Sequence, residues 1–327
     1  MSAITETSRP TRPSLSETGG LVERHWRELA VRRRLYTIGG VVFLAVAMAG
    51  SLWFANESNA GKFFDRLPYL FDFLGQLVPR DGWEVWRAMF DLPSPYDDGS
   101  LKYNYPEGRA YFTETLYVPE YVYLMVETLN IALLSTLIGF LLGFGLCFLA
   151  ARNLVANRWL RFVVRRFMEI LRAFPEIVIA GFFLAVFSLG AIPAILAVSI
   201  HTIGALGKMF FEVVENADMR PDEGLRAVGG SWIERVWFGI VPQVMPNFVS
   251  YALLRFEINV RASTIIGAVG GGGIGEALRL SIGQTHEAKT LAIVLLLFLT
   301  IVAVDQFSAW LRRKLVGEQA FEFGRGG

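Results

Sequence analysis

Hydrophobic positions fall in blocks along this chain, with charged or glycine-rich intervals between them. The blocks run from Tyr36 to Phe54, Val122 to Ala151, Ile170 to Leu189 and Pro193 to Phe211. Another runs from near Pro246 toward Gly267, and a last one from Ala288 to Leu311. Blocks of about twenty apolar residues match the thickness of a bilayer core once wound as helix. The pattern predicts an all-α, polytopic membrane protein with about six transmembrane helices. The second block is long enough to tilt or to begin at the interface.

One interval has a helical pattern of its own. In Arg220 to Pro242, Pro221 suits a first helical position, and Asp222 and Glu223 suit the positive first turn. Gly229-Gly230 ends that helix. Ser231 and Glu234 form an S-x-x-E capping box that starts a second helix. There Trp232, Ile233, Val236, Trp237 and Ile240 recur at helical spacing, and Pro242 is expected to close it.

Charge sets the topology. Arg32-Arg33-Arg34 precedes the first block, and Arg152, Arg158, Arg161, Arg165 and Arg166 follow the second. Arg312-Arg313-Lys314 follows the last. Basic clusters stay on the cytoplasmic side, so six spans with both termini inside satisfy every cluster. Residues 55–121 carry 11 acidic against 6 basic residues, which suits the outer face. Phe63-Phe64, Leu70-Phe71, Phe73-Leu74 and Trp83 to Trp86 predict interfacial helices there. The resulting division is a polar, disordered cytoplasmic tail over 1–35, with a surface helix within 21–34, and a first span over 36–54. An external segment over 55–121 follows, then a core over 122–311 with a cytoplasmic loop at 212–242, and a second tail over 312–327.

Composition agrees, with 53% hydrophobic residues and a mean hydropathy of +0.42. A net charge of +1 gives no basis for binding nucleic acid. The single Cys147 excludes an intrachain disulfide. The apolar run begins too late for a cleavable signal peptide. No internal repeat is visible, which disfavours an inverted-repeat secondary transporter. Gly204-Ala-Leu-Gly207-Lys208 fails P-loop spacing, and there is no HExxH or nucleophile elbow, so neither an ATPase nor an intramembrane enzyme is indicated. Gly270, Gly272 and Gly275 match a dinucleotide fingerprint in form only, since they lie between spans rather than in a βαβ unit. Gly270, Gly271, Gly272 and Gly273 are better read as a helix break beside a conduction path, forming part of a gate; a plain outer loop is the alternative.

Ionisable residues within spans are costly in lipid and face a bundle interior. Glu257 and Arg261 lie four apart on one helical face and are expected to pair. Their pairing is either purely structural or leaves Arg261 as a guide for an anionic solute, with Ser263 and Thr264 beside it. Arg255 is expected nearer the inner surface, and His201 as a packed or hydrogen-bonded residue. Lys208 is expected to snorkel inward. Asp305 is expected to pair with a neighbouring helix.

The stretch from Glu223 to Pro242 resembles the EAA loop of ABC importer permeases. Glu223 and Gly229 have the family separation, and Val241-Pro242 falls where that family has Leu-Pro. Gly224 and Leu225 depart from its two alanines. The segment Glu257 to Gly275 resembles phosphonate importer permeases of the PhnE-like group. The likeness spans most of 36–312 and is weak outside these two motifs. It implies a type I importer permease fold of the MetI-like kind, in a bacterial cytoplasmic membrane. It also implies transport of phosphonate, phosphate or phosphite, with another small solute such as an amino acid as the alternative and a secondary transporter further off. Partners implied are cytoplasmic ABC ATPase subunits, an extracytoplasmic phosphonate-binding protein, a second copy in a homodimer, and membrane lipid. No cofactor is implied on this chain, because ATP and Mg belong to the ATPase. Glu223, Arg226, Ala227, Gly229, Ser231 and Pro242 would couple to that ATPase.

Overall fold

The computed structural model describes residues 15–58, 63–76, 82–90, 92, 94–95, 101–102, 118–283 and 287–316. The chain forms two compact units, Met1–Gly75 and Gln76–Gly327. The first holds α1 (Leu15–Ser58) and α2 (Phe63–Gln76). Within α1, Leu29–Ser58 is long and apolar enough to cross a membrane. The expected tail is therefore helical from Leu15 onward. Leu, Glu, Ala and Arg dominate from Leu21 and favour helix, and the prolines at 10 and 13 lie upstream. Residues 1–14 and 317–327 of the two expected tails lie outside the described residues, as does most of 91–117.

The second unit opens with α3 (Gly82–Met89), followed by a two-residue antiparallel pairing of β1 (Ser94–Pro95) with β2 (Leu101–Lys102). Then follow α4 (Glu120–Ala150), α5 (Arg158–Leu171), α6 (Glu176–Phe187), α7 (Ala191–Glu215), α8 (Arg220–Ala227) and, after the short turn α9 (Trp232–Glu234), α10 (Val241–Ile266) and α11 (Gly273–Gly283). Helix α12 (Glu287–Val316) ends the described chain. Among the described residues, four segments are long and apolar enough to span, and up to six if the bent pairs α5–α6 and α10–α11 each count as one.

Two departures from the sequence reading have physical causes. The third expected span is broken between Leu171 and Glu176, where α5 and α6 meet at 79°. Pro175 has no N–H to extend the ladder, and it disfavours helix at Phe174. Helix α6 alone, at 12 residues, is only about 18 Å long. Pro242, in contrast, closes nothing. A π-helical turn over Arg235–Ile240 follows α9 and runs straight into α10, with Pro242 in the first turn, where a missing N–H costs little.

Helices α4 and α7 pack most intimately. A Cβ at Gly139 would collide with Thr202, and one at Gly143 would come within 3.1 Å of the Gly207 amide. Small residues one turn apart let backbones approach, which is how helices associate where lipid removes the hydrophobic drive. Below this seam lies an aromatic core of Phe140, Phe144, Phe148, Phe210 and Phe248, with the Phe210 and Phe248 rings stacked at 4.0 Å. Helix α3 sets Val85, Ala88 and Met89 against Ala292 of α12.

Candidate functional site

The polar element between α7 and α10 is held as a rigid corner. Helix α8 ends at a turn where Gly229 has φ +84, which only glycine adopts freely. The Ser231–Glu234 capping box forms: Glu234 accepts from the Ser231 amide at 2.7 Å, and Ser231 Oγ accepts from the Glu234 amide at 3.4 Å. Across the turn, Arg235 grips Asp222 through two parallel hydrogen bonds of 2.9 and 2.7 Å. Asp222 is buried, so this fork is a desolvated staple between α8 and the π turn. Gly239 leaves room for it, since its Cβ would lie 3.3 Å from the Asp222 amide. The corner is anchored by Trp232 Nε1, which donates to the Leu154 carbonyl at 3.2 Å, and by Gln243 Nε2, which donates to the Asp218 carbonyl at 3.1 Å. Glu223, Arg226, Ala227, Gly229, Ser231 and Pro242 are all exposed on it, along with Val228 and Ile233.

The glycine break is a packed crossing, and Gly270, Gly271 and Gly273 are buried. Gly270, Gly272 and Gly273 have φ of +111, +78 and +69. A Cβ at Gly273 would overlap Thr128 Oγ1, which accepts a 3.0 Å bond from the Ile274 amide. The Gly190 amide donates to the Gly270 carbonyl at 3.0 Å, tying the α6–α7 turn to the break. Helices α10 and α11 meet there at 58°. A cavity of about 290 Å³ borders Gly273, lined also by Glu120, Glu276, Ser281 and Lys289. Buried irregular backbone beside a polar cavity is how a membrane protein tolerates such a break.

The ionisable residues of α10 pair differently from expectation. Glu257 and Arg261 do not bond each other. Glu257 sits 2.9 Å from Arg312, and Arg261 Nη2 donates to both Asp305 oxygens at 2.9 and 2.8 Å. An intrahelical pair stays on one helix surface, whereas α12 runs alongside and offers partners of opposite sign one to two turns apart. Arg255 is buried within the helix bundle. It is salt-bridged to Glu176 in the first turn of α6, and its Nε donates to Thr202 Oγ1 at 3.3 Å. His201 Nδ1 faces both, 2.7 Å from Glu176 and 2.6 Å from Arg255. Asn259 continues the network, donating to Thr136 at 2.8 Å and Thr202 at 3.1 Å. Ser263 is buried, and Thr264 bonds back to the Val260 carbonyl at 3.0 Å. Lys208 lies 3.6 Å from Glu212. The residues singled out from sequence thus form two separate groups, one on the polar corner and one along α10 and the glycine break.

Sequence reasoning missed Glu176, Thr136, Thr202 and Asn259 as one network, and Asp222–Arg235 as a staple. Polar residues within apolar blocks were the available signal for the first, but the bonds of Arg255 and Asn259 reach partners 53 to 123 positions away in the chain. Nothing local marked the second.

Helices long and apolar enough to span, with buried cross-helix ion pairs, a glycine-broken helix and a polar corner between them, define a polytopic helical membrane protein. The family of binding-protein-dependent transport system inner membrane components matches residues 132–317, more than half of the chain. The chain belongs to that family: it is a multi-pass transporter subunit rather than an enzyme, of a kind that works with ATPase and binding-protein partners. The phosphite transport system permease protein PtxC of Stutzerimonas stutzeri is 29% identical over 290 residues, covering 88% of this chain and 90% of that one. The phosphate-import permease protein PhnE of Mycolicibacterium smegmatis is 37% identical over 190 residues, 58% of this chain but only 36% of the relative's length. The putative cryptic phosphonate transport system permease protein PhnE2 of Escherichia coli is 42% identical over 121 residues, covering 37% of this chain and 99% of that one. Among solved structures, an inward-facing conformation of the MetNI methionine ABC transporter superposes with a TM-score of 0.53 at 20% identity, over 60% of this chain and 95% of that chain. A bacterial ABC transporter importing alginate gives 0.52 at 12% identity, over 82% and 100%. These structures share the fold alone.

Proposed function

We propose that this chain forms the translocation pathway of an ATP-driven importer for phosphonate or a related phosphorus oxyanion, phosphate or phosphite. The observation that carries this reading is that relatives matching across most of the chain, or across most of their own length, are named for phosphorus oxyanions. Two copies would enclose the pathway in a bacterial cytoplasmic membrane. ATPase subunits below would carry ATP and Mg, and a phosphonate-binding protein would deliver solute from outside.

The exposed residues of the 220–242 corner, Glu223, Arg226, Ala227, Gly229 and Ser231, are the EAA-like surface that meets the ATPase. Closure of the ATPases moves a corner that the Asp222–Arg235 staple keeps from flexing. The helical run from Trp232 to Ile266 carries that movement to Arg255 and on to the glycine break, a rigid-body switch of access. Arg261 is the cation an oxyanion meets on the way. Its guanidinium is only half covered in this chain, and its present partner Asp305 is an oxyanion of the same recognition chemistry.

The test is reconstitution with the cognate ATPase and binding protein in liposomes. ATPase stimulation and uptake are expected with the binding protein loaded with methylphosphonate, phosphite or phosphate. Stimulation only by an amino-acid-loaded protein would overturn the substrate assignment.

A further inference from the structure

Helix α5 has three distinct faces. Val164 and Met168 are buried, with Met168 seated over Gly204 and Gly207 of α7, which have no side chains to exclude it. Arg161 and Arg165 turn inward: Arg165 donates to the Ala150 carbonyl at 2.9 and 2.7 Å and salt-bridges Glu215, and Arg161 donates to the Val155 carbonyl. These two satisfy the chain ends beneath α4. Arg158 and Arg166 stay exposed, Arg166 in an exposed, exchangeable ion pair with Glu169, and Arg172 is exposed at the C-cap. The third face is Trp159, Val163, Phe167 and Ile170, a continuous stripe at i, i+4, i+8 and i+11, and all four are exposed.

We propose that α5 is an interfacial helix lying in the plane of the inner leaflet, bound to anionic phospholipid. Its apolar stripe enters the headgroup–acyl boundary, and Arg158, Arg166 and Arg172 sit on lipid phosphates. Four arginines in 14 residues cannot cross hydrocarbon, and the 79° turn into α6, apolar throughout after Glu176, separates the two environments. Amphipathic helices with arginine on the polar face and tryptophan or phenylalanine on the other settle at this depth. The arginines also lie at the chain's most basic cluster, on the side where the leaflet is negative. A second copy of this chain is a poorer occupant. A two-fold contact across the stripe would bring two positive bands together, whereas an anionic lipid surface complements them.

The test uses the full permease with its ATPase in nanodiscs. In a Cys147→Ser background, Trp159→Cys, Val163→Cys and Ile170→Cys are spin-labelled in turn, and depth is read from collision with oxygen and a polar nickel chelate. Positions 159 and 170 are about 16 Å apart along the helix, so a spanning α5 gives a steep depth gradient. The in-plane helix gives equal, shallow depths. Separately, a fluorophore at Val163→Cys is quenched by brominated phosphatidylglycerol in preference to brominated phosphatidylcholine. Arg158→Gln with Arg166→Gln is expected to reduce that preference about tenfold. A depth gradient, labels shielded from oxygen by protein, or equal quenching by the two lipids would each overturn the proposal.

Discussion

At the scale of single residues, the most consequential group is the buried pair Glu176–Arg255. Both side chains are largely removed from solvent within the helix bundle, and each is the other's main compensation. Glu176→Ala leaves Arg255 an uncompensated charge, and a loss of about 3–5 kcal/mol is expected, read as a lower unfolding temperature of the purified subunit. Replacing both with apolar residues of similar volume, Glu176→Leu with Arg255→Met, is expected to recover most of that loss in the same assay, because the penalty lies in the orphaned charge more than in the missing bond. Gly275 is a different kind of constraint. A Cβ there would overlap the Thr264 carbonyl oxygen and lie 2.8 Å from the Ala268 amide, both backbone atoms that cannot move aside. Gly275→Ala is therefore expected to lower the yield of folded protein several-fold by size-exclusion profile, whereas Gly224→Ala, with open space around it, is expected to be neutral.

At the scale of elements, the polar corner follows from a few local signals. Proline at a helix start, a glycine pair and an S-x-x-E box each act within four residues, so their consequences were legible from sequence, and the helix–turn–helix forms as expected. What was not legible is what depends on distance in the chain. Asp222 and Arg235 are 13 apart and meet only because the turn folds one helix back on the next. Glu257 and Arg261 looked like partners because they are four apart, yet each finds its counter-charge on α12. The same limit applies to Pro242, whose stop signal is overridden when a π turn places it in the first turn of α10. Asp222→Asn is expected to loosen the corner while leaving membrane insertion intact. The assay is the ratio of binding-protein-stimulated to basal ATPase activity in proteoliposomes, expected to fall toward unity. Gly229→Pro and Glu223→Arg are expected to abolish uptake in correctly inserted protein, since one forbids the left-handed turn and the other reverses an exposed charge of the proposed ATPase-facing surface.

At the scale of the whole molecule, the spans were legible as apolar blocks, because bilayer thickness imposes their length. The bend between α5 and α6 was not, because a block read as starting at Ile170 hides Pro175 inside its first turns and leaves the arginine-rich α5 outside it. That bend gains its meaning from how α6 is held. In its first turn Glu176 is bound to Arg255 of α10, and just beyond its last turn the Gly190 amide is bound to Gly270, where α10 gives way to the glycine break. Amide exchange is expected to be faster at Phe174 than through Val178–Ala180, whose amides are bonded within α6, measured by mass spectrometry on the reconstituted complex. A short strut pinned to the same beam at both ends has no orientation of its own. Helix α6 and α10 then tilt as one plate against the four-residue gap before Glu176, so movement arriving along α10 would be spent there while α5 keeps its place.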